Sequence, residues 1–268
     1  MNHDILDNPK APRIKRLSQL LTKKQRVITG TFLVEGPQAV EELLAHRPGE
    51  AETVFVRYDG SGFPNIERLA EEQGVEVLLA TPQVIAALSD TVTPQGVVAV
   101  ARMAEADLVS VLKDAKLVAI MHEVRDPGNA GTVLRAADAA GADAVVFAGE
   151  SIDPWNPKVV RSTTGSLFHL PVVTGVTLEE ATEAATAAGL TTIAADVRGD
   201  DLSPSDESLA GPVAWVFGNE AHGLSEADRA RAERSLRLPI FGAAESLNLA
   251  TAASVCLYTT AFAQRQGS

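Results

Sequence analysis

The chain has 268 residues, of which 46 % are hydrophobic, and a formal net charge of −12 at pH 7. This length and apolar content suffice for one large or two small globular domains, whereas the acidic charge excludes a protein that coats nucleic acid through bulk positive charge. No apolar run reaches the roughly 18 residues of a membrane span, and the first residues lack a secretory signal pattern. Cys256 has no second cysteine for a disulfide or a metal knuckle. We therefore expect a cytoplasmic globular protein with no membrane association.

Positive charge is concentrated near the start of the sequence, in an arm that we place at residues 1–28. Seven basic residues and no acidic residue lie between positions 10 and 26. Two interpretations stay open: the cations contact RNA phosphates, or they cover the solvent face of an amphipathic helix. The candidate RNA-binding residues in the arm are Lys10, Arg13, Lys15, Arg16, Lys23, Lys24 and Arg26, and the candidate inward-facing residues are Ile14, Leu17, Leu20 and Leu21.

After the arm, apolar runs of strand length alternate with amphipathic segments of helix length. Strands are predicted over 31–36, 52–58, 75–80 and 96–102, and helices begin near Pro37, Phe63 and Thr81. The charged stretch 103–116 is poor in strand-forming residues and marks a boundary. We therefore predict a small α/β domain over 29–108 and a second domain over 109–268.

The same alternation continues through the second half. Strands are predicted over 116–124, 144–149, 170–174, 190–197, 213–219 and 234–241, and helices over 129–141, 156–168, 178–189, 225–233 and 246–264. Six apolar strands separated by helices are typical of a mostly parallel sheet flanked by helices. Ligands of such sheets bind beyond the carboxyl ends of the strands, so the chemistry should lie in the loops there.

Familiar signatures of several enzyme classes are missing from the sequence. It contains no G-x-G-x-x-G or G-x-x-x-x-G-K-[ST] loop, which argues against a dinucleotide fold and a P-loop, and no HExxH or G-x-S-x-G. The histidines have no metal-ligand spacing, so we expect each to be structural or solvent-facing and the protein to need no metal.

Three loops of the second half carry polar residues at strand ends. Asn129 is the predicted N-cap of the helix that contains Arg135, Glu220 lies between two glycines after an apolar strand, and Ser246 and Asn248 open the last helix. Each has an ordinary structural explanation when taken alone: a solvated arginine, a glycine turn and a helix N-cap.

In this order the three loops resemble the signature motifs of the SpoU–TrmH family of RNA ribose 2′-O-methyltransferases, in the SPOUT superfamily. The motifs are N-x-G-x-x-x-R at 129–135, F-G-x-E-x-x-G at 217–223, and a proline motif at 238–239 followed by S-L-N at 246–248, where Leu238 replaces the usual isoleucine. The stretch 156–172 also resembles the family, with Arg161 and Gly165 at matching places. More loosely, residues 30–47 resemble the small RNA-binding domain that precedes many catalytic domains of this family.

The resemblance implies a trefoil-knotted catalytic domain that binds S-adenosylmethionine, pairs into a homodimer through its last helix, and needs no metal. It implies catalytic roles for Arg135, Asn129, Glu220, Ser246 and Asn248. It implies cofactor contacts at Phe217, Gly218, Leu238, Ile240 and Leu247, and a phosphate contact at Arg161.

We therefore expect methylation of a ribose 2′-hydroxyl in structured RNA, with 23S ribosomal RNA favoured. The alternatives are a tRNA 2′-O-methyltransferase and a non-catalytic protein that binds or assembles ribosomal RNA. A nucleotide-dependent oxidoreductase would explain the strand and helix alternation equally well, but this sequence lacks the glycine fingerprint of that class.

Overall fold

The structure, a computed structural model, describes residues 5–58 and 62–266 and contains two compact units. The first unit comprises the chain up to Ala104 together with Asp153–His169, and the second comprises Glu105–Ile152 and the chain from Leu170 onward. This division differs from the predicted one, because the basic arm folds as part of the first unit and a segment of the predicted catalytic domain also belongs there. None of the described helices is long and apolar enough to cross a bilayer.

The elements before residue 105 fall close to the predicted ones. They are α1 (Pro12–Ser18), α2 (Lys23–Thr29), β1 (Thr31–Glu35), α3 (Pro37–His46), β2 (Ala51–Arg57), α4 (Pro64–Gln73), β3 (Glu76–Ala80), α5 (Pro82–Ala87) and β4 (Val97–Arg102).

The first unit is built on a mixed four-stranded sheet in the order β1-β4-β2-β3, with only the β2–β3 pair parallel. The arm joins its core, since Ile14 and Leu20 are buried against Leu33, Phe55 and Val84. Leu17 and Leu21 pack on the same cluster, as the amphipathic interpretation predicts.

The elements after residue 104 are α6 (Leu108–Leu112), β5 (Leu117–His122), α7 (Pro127–Ala140), β6 (Ala144–Ala148), α8 (Pro157–Thr163), β7 (Val172–Val176), α9 (Leu178–Ala187), β8 (Thr191–Asp201), β9 (Val213–Phe217), α10 (Glu226–Arg229), β10 (Arg234–Arg237) and α11 (Leu249–Gln266). Helix α8 lies in the first unit. The six strands form one parallel sheet in the order β10-β8-β9-β5-β6-β7, which confirms the predicted architecture.

The main differences from the predicted elements cluster around β8 and β10. Strand β8 continues to Asp201 through a polar tail that hydropathy does not mark, because this tail pairs with β10 after a register shift. At Gly199 the strands are so close that a Cβ would lie 2.5 Å from the Ser235 carbonyl carbon. Strand β10 ends at Arg237 rather than at 241, and α11 begins at Leu249 rather than at 246.

Candidate active site

The first signature motif lies where β5 gives way to α7. Asp126 caps this helix by accepting a 2.7 Å hydrogen bond from the Asn129 backbone N–H, and Pro127 occupies the first turn, where a missing N–H is harmless. The cap turns the Asn129 side chain towards the loop after β9.

Glu220 in that second loop holds the start of α7. Its Oε2 accepts from the backbone N–H of Arg125 at 3.2 Å, and its Oε1 accepts from that of Asp126 at 3.0 Å and from Nδ2 of Asn129 at 3.4 Å. The neighbouring Asn219 donates from Nδ2 to the carbonyl of Glu123 at 2.8 Å. The two loops are therefore tied together by side chains of the second motif.

The third motif completes the arrangement through Asn248. Its Oδ1 caps α11 by accepting from the backbone N–H groups of Ala250 at 2.9 Å and Thr251 at 3.3 Å. Its Nδ2 donates to Oδ1 of Asn129 at 2.9 Å. A chain of hydrogen-bonded side chains, Glu220–Asn129–Asn248, thus joins all three motifs. We name it the polar relay.

A cavity of about 400 Å³ lies in the second unit beside the relay, within the usual size range of small-molecule sites. Its lining combines apolar side chains with a few polar groups. Glu220 and Ser246 of the predicted catalytic set line the cavity. So do all five residues that the resemblance assigns to the cofactor, which are Phe217, Gly218, Leu238, Ile240 and Leu247.

The cavity has polar lining that motif reasoning missed. Asp196 and Arg198 come from the polar end of β8, and the Arg198 guanidinium donates to both Asp196 oxygens at 2.8 and 2.7 Å. These hydrogen bonds lower the pKa of Asp196, against an opposing effect of its burial. Arg198 also donates to the Leu224 carbonyl at 2.6 Å. The only sequence feature that could have indicated these two lining residues is the alternation of charges after residue 196, and no motif covers that stretch.

Cys256 is another lining residue that the motifs did not predict. It is 2 % exposed on the cavity side of α11, and desolvation raises the pKa of its thiol to about 12. A thiol that stays protonated is a poor nucleophile, so its place in the wall is that of a small apolar side chain.

Two predicted catalytic residues lie apart from the relay. Arg135 is exposed on α7 and is not part of the cavity lining, since it follows Asn129 by six residues, or about 9 Å of helix. Ser246 lines the cavity in the exposed loop before α11. Within the described ranges, neither side chain has a hydrogen bond or an ion pair.

Six of the seven cations of the arm are exposed, but Arg26 is not. Its side chain is 1 % exposed, and its Nε and Nη2 donate to Oδ2 of Asp153 at 2.9 and 2.6 Å while Nη1 donates to the Leu20 carbonyl at 2.8 Å. The expectation that Arg26 contacts RNA is therefore wrong in this structure, because a buried guanidinium with these partners has no access to phosphate. It holds the 153–169 segment in the first unit instead.

Arg161 is likewise engaged within the first unit. Its Nη1 lies 3.4 Å from Glu35 and its Nη2 lies 3.0 Å from Asp90, with 28 % of the side chain exposed. Glu35 also accepts from the backbone N–H of Asp90 at 3.0 Å. A phosphate contact at Arg161 would have to compete with two carboxylates, so this residue first serves to hold α8 against the loop at Asp90.

Comparison with known proteins places these features in one family. The sequence profile of the SpoU rRNA Methylase family matches residues 116–258, and that of the MRM3-like substrate binding domain matches residues 11–99. A Bacillus subtilis (strain 168) protein, 23S rRNA (guanosine(2553)-2'-O)-methyltransferase RlmP, is 35 % identical over 94 % of this chain and 97 % of its own length.

Solved structures agree over nearly the whole chain. The AdoMet-bound rRNA methyltransferase from Sinorhizobium meliloti superposes with a TM-score of 0.84 at 30 % identity, covering 98 % of each chain. The SpoU methyltransferase AviRb from Streptomyces viridochromogenes, in complex with AdoMet, gives 0.85 at 30 % identity over 97 % of this chain and 100 % of that one. The resemblance read from the three motifs is thus confirmed, the oxidoreductase alternative is excluded, and the chain belongs to the SpoU rRNA methylase family.

Proposed function

We propose that this protein transfers the methyl group of S-adenosylmethionine to a ribose 2′-hydroxyl of 23S ribosomal RNA. The observation that carries the proposal is the polar relay, in which Glu220, Asn129 and Asn248 join the three family motifs beside the cavity. A fold that had lost its activity would have no evident reason to keep three separate loops joined by these side chains. The Bacillus subtilis and Sinorhizobium meliloti relatives named above are rRNA methyltransferases, which favours ribosomal RNA over transfer RNA as the substrate.

The cavity fits S-adenosylmethionine in size and in chemistry. Phe217, Leu238 and Leu247 offer apolar surface suited to an adenine ring, and Glu220 and Glu245 offer negative charge suited to a sulfonium. Arg198 and Arg237 also reach the lining, but their charges are balanced by Asp196 and Asp201. When bound, the cofactor supplies a methyl group already activated for attack by an oxygen nucleophile.

The chain's own residues then act mainly by positioning, which is a large part of the rate of an in-line transfer. The relay fixes the loop before α7 relative to the loop before α11. Asn129 and Asn248 have no ionisable group, so they orient the ribose rather than move protons. Glu220 is occupied by two backbone N–H donors and serves as the anchor of the relay.

Arg135 supplies positive charge to the substrate. Its exposed side chain, without a partner in the part of the chain that the structure describes, is available to the RNA. A guanidinium keeps its proton in proteins, so Arg135 acts as a hydrogen-bond donor that stabilises developing alkoxide charge, and the proton leaves to phosphate or water.

The first unit recognises the folded RNA in this proposal. Its match to a substrate-binding domain supports this role, and so does the set of exposed cations on and before α1 and α2, which suits contacts with phosphates. These cations are Lys10, Arg13, Lys15, Arg16, Lys23 and Lys24.

A homodimer formed through α11 is part of the proposal. Val255, Tyr258 and Phe262 follow one face of this helix and are 42, 38 and 59 % exposed, which is unusual for apolar residues at helical spacing and typical of an interface. Sedimentation of wild type and Phe262→Glu tests the dimer.

The expected trefoil knot, threaded after the third motif, and the cytoplasmic location remain predictions.

The activity is tested by tritiated methyl transfer from S-adenosylmethionine to separate pools of unmodified large-subunit, small-subunit and transfer RNA. We expect label in the large-subunit pool, recovered as a 2′-O-methyl nucleotide, and its loss with Arg135→Ala. Label in transfer RNA would overturn the choice of ribosomal RNA as the substrate. Absence of S-adenosylmethionine binding in calorimetry would overturn the proposed methyl transfer itself.

A further inference from the structure

Three ligand-type side chains meet in the first unit, outside the proposed active site. Glu42 and His46 are one helical turn apart on α3, and His169 follows the short 3-10 turn at 166–168. Oε2 of Glu42 lies 3.2 Å from Nε2 of His46 and 3.1 Å from Nε2 of His169, and the two imidazole rings are 4.4 Å apart between centroids. All three ligand atoms lie within 4.8 Å of one another.

The backbone before His169 lets its side chain approach Glu42 and His46 on α3. Gly165 has a φ of +103°, and a Cβ there would lie 2.4 Å from Cγ of Glu42, so glycine alone lets the loop approach α3 this closely. Nε of Arg47 donates to the Phe168 carbonyl at 3.1 Å. The position of His169 is therefore fixed by contacts other than those of its own ring.

The two separations from Glu42 match those of ligands around one metal ion. Zn²⁺ binds histidine nitrogen at about 2.0–2.1 Å and carboxylate oxygen at about 2.0–2.2 Å in tetrahedral geometry, which separates two ligand atoms by roughly 3.3 Å. The two nitrogen–oxygen distances, 3.1 and 3.2 Å, are close to that value. We propose that Glu42, His46 and His169 form a binding site for a divalent transition-metal ion, with Zn²⁺ as the preferred ion.

The choice of ion follows from the ligands. Two imidazoles and one carboxylate suit Zn²⁺ and its transition-metal neighbours, whereas Mg²⁺ and Ca²⁺ require oxygen ligands. Three protein ligands leave a fourth position open, and His46 is 51 % exposed, so an ion can enter from solvent.

The bound ion would act as a clip within the first unit. It would join α3 to the 153–169 segment, which is separated from α3 in the sequence by residues 47–152. The proposal does not depend on the proposed methyl transfer, whose residues lie in the second unit.

The first test is a Zn²⁺ titration of the metal-stripped full-length protein by calorimetry. We expect one equivalent to bind to wild type, and at least about tenfold weaker binding to Glu42→Gln and to His46→Gln/His169→Gln, because even changes outside the ligand shell weaken metal sites by 10–100-fold. Glu41→Gln, which removes the same charge one residue earlier on α3, should bind as wild type does. Equal affinity in all four proteins would overturn the site.

The second test needs no variant and so does not depend on the folding of one. Diethyl pyrocarbonate modifies accessible imidazoles, and mass spectrometry of peptides measures the rate at each histidine. We expect Zn²⁺ to slow modification of His46 and His169 at least fivefold while His222, which is exposed in the second unit, changes little. Unchanged rates at both ligands under saturating Zn²⁺ would contradict the proposal.

Discussion

The side-chain amide of Asn248 donates a 2.9 Å hydrogen bond to the side-chain oxygen of Asn129, which lies 119 positions earlier in the chain. The same Asn248 caps α11 through its other side-chain atom, Oδ1. One residue thus serves stability through its acceptor and the site through its donor, and substitutions can separate the two roles.

Asn248→Asp keeps the acceptor that caps α11 but loses the donor that reaches Asn129. We expect its free energy of unfolding to stay within about 0.5 kcal/mol of wild type, because aspartate and asparagine are comparable N-caps. We expect its single-turnover rate of methylation to fall by more than tenfold, because the relay is broken. Asn248→Ala loses both groups and should also lose about 1 kcal/mol of stability. Urea unfolding and single-turnover methylation measure the two effects, and an active Asn248→Asp enzyme would contradict the relay.

Arg135→Lys preserves the charge and removes the planar array of donors. We expect the single-turnover rate to fall at least tenfold, since a lysine ammonium does not reproduce two parallel hydrogen bonds to phosphate or to a developing alkoxide. The stability should change by less than about 0.5 kcal/mol, because Arg135 is exposed. Arg68→Lys, another exposed helical arginine, is the matched control. An undiminished rate in Arg135→Lys would refute the role assigned to this guanidinium.

Most of the helices and strands could be predicted from the sequence, because the hydrophobic pattern of an element is a local property of the chain. The strands β1–β4 and most of the six parallel strands follow apolar runs, whereas α7 begins at Pro127 with its cap at Asp126 rather than at the predicted cap, Asn129. The site residues came from motifs, but their contacts did not. Nothing in the spacing of Glu220 and Asn248 says that both reach Asn129.

The contacts that the sequence analysis missed have one physical origin, which is that each of these polar residues was interpreted from its neighbours in the sequence. Arg26 lies among exposed cations in the sequence, yet it forms a buried ion pair with Asp153, 127 positions later in the chain. His46 and His169 have no metal-ligand spacing, yet the fold places both on Glu42. Pairing across distant segments is visible only once the fold is known.

Gly218 closes the loop that borders the cavity. A Cβ at this position would lie 2.6 Å from the Gly223 carbonyl carbon and 2.8 Å from Cγ of Leu224, so Gly218→Ala must displace backbone. We expect the Kd for S-adenosylmethionine to rise at least tenfold in calorimetry. Gly242→Ala, in an exposed loop where a Cβ meets nothing within 4 Å, should bind the cofactor as wild type does. Equal affinities in both variants would mean that this turn does not shape the site.

The buried pair Arg26–Asp153 should matter far more for stability than its exposed neighbour Arg13–Glu76. Arg26→Met leaves Asp153 as a buried carboxylate without its guanidinium, which costs roughly 3–5 kcal/mol in comparable cases. Arg13→Met breaks a 3.5 Å contact between half-exposed groups and should cost less than about 1 kcal/mol. Fluorescence of Trp155 during urea unfolding, in a Trp215→Phe background, follows the first unit in both variants. Similar midpoints in the two variants would refute this ranking.

Asp206 gives the second unit a pH-dependent contribution to stability. Hydrogen bonding from Arg234 and then from Ser208 outweighs burial and lowers the pKa of Asp206 to about 2, from an ordinary value of 3.8. Because the folded-state pKa is the lower one, the contribution is fully present above pH 4 and is lost as the pH falls towards 2. Asp206→Asn, which cannot ionise, should be less stable than wild type at pH 6, and this difference should shrink between pH 4 and pH 2. Urea midpoints of Trp215 fluorescence at pH 6, 4, 3 and 2, in a Trp155→Phe background, measure this difference, and a constant difference would show that the ionised carboxylate is not what stabilises β10.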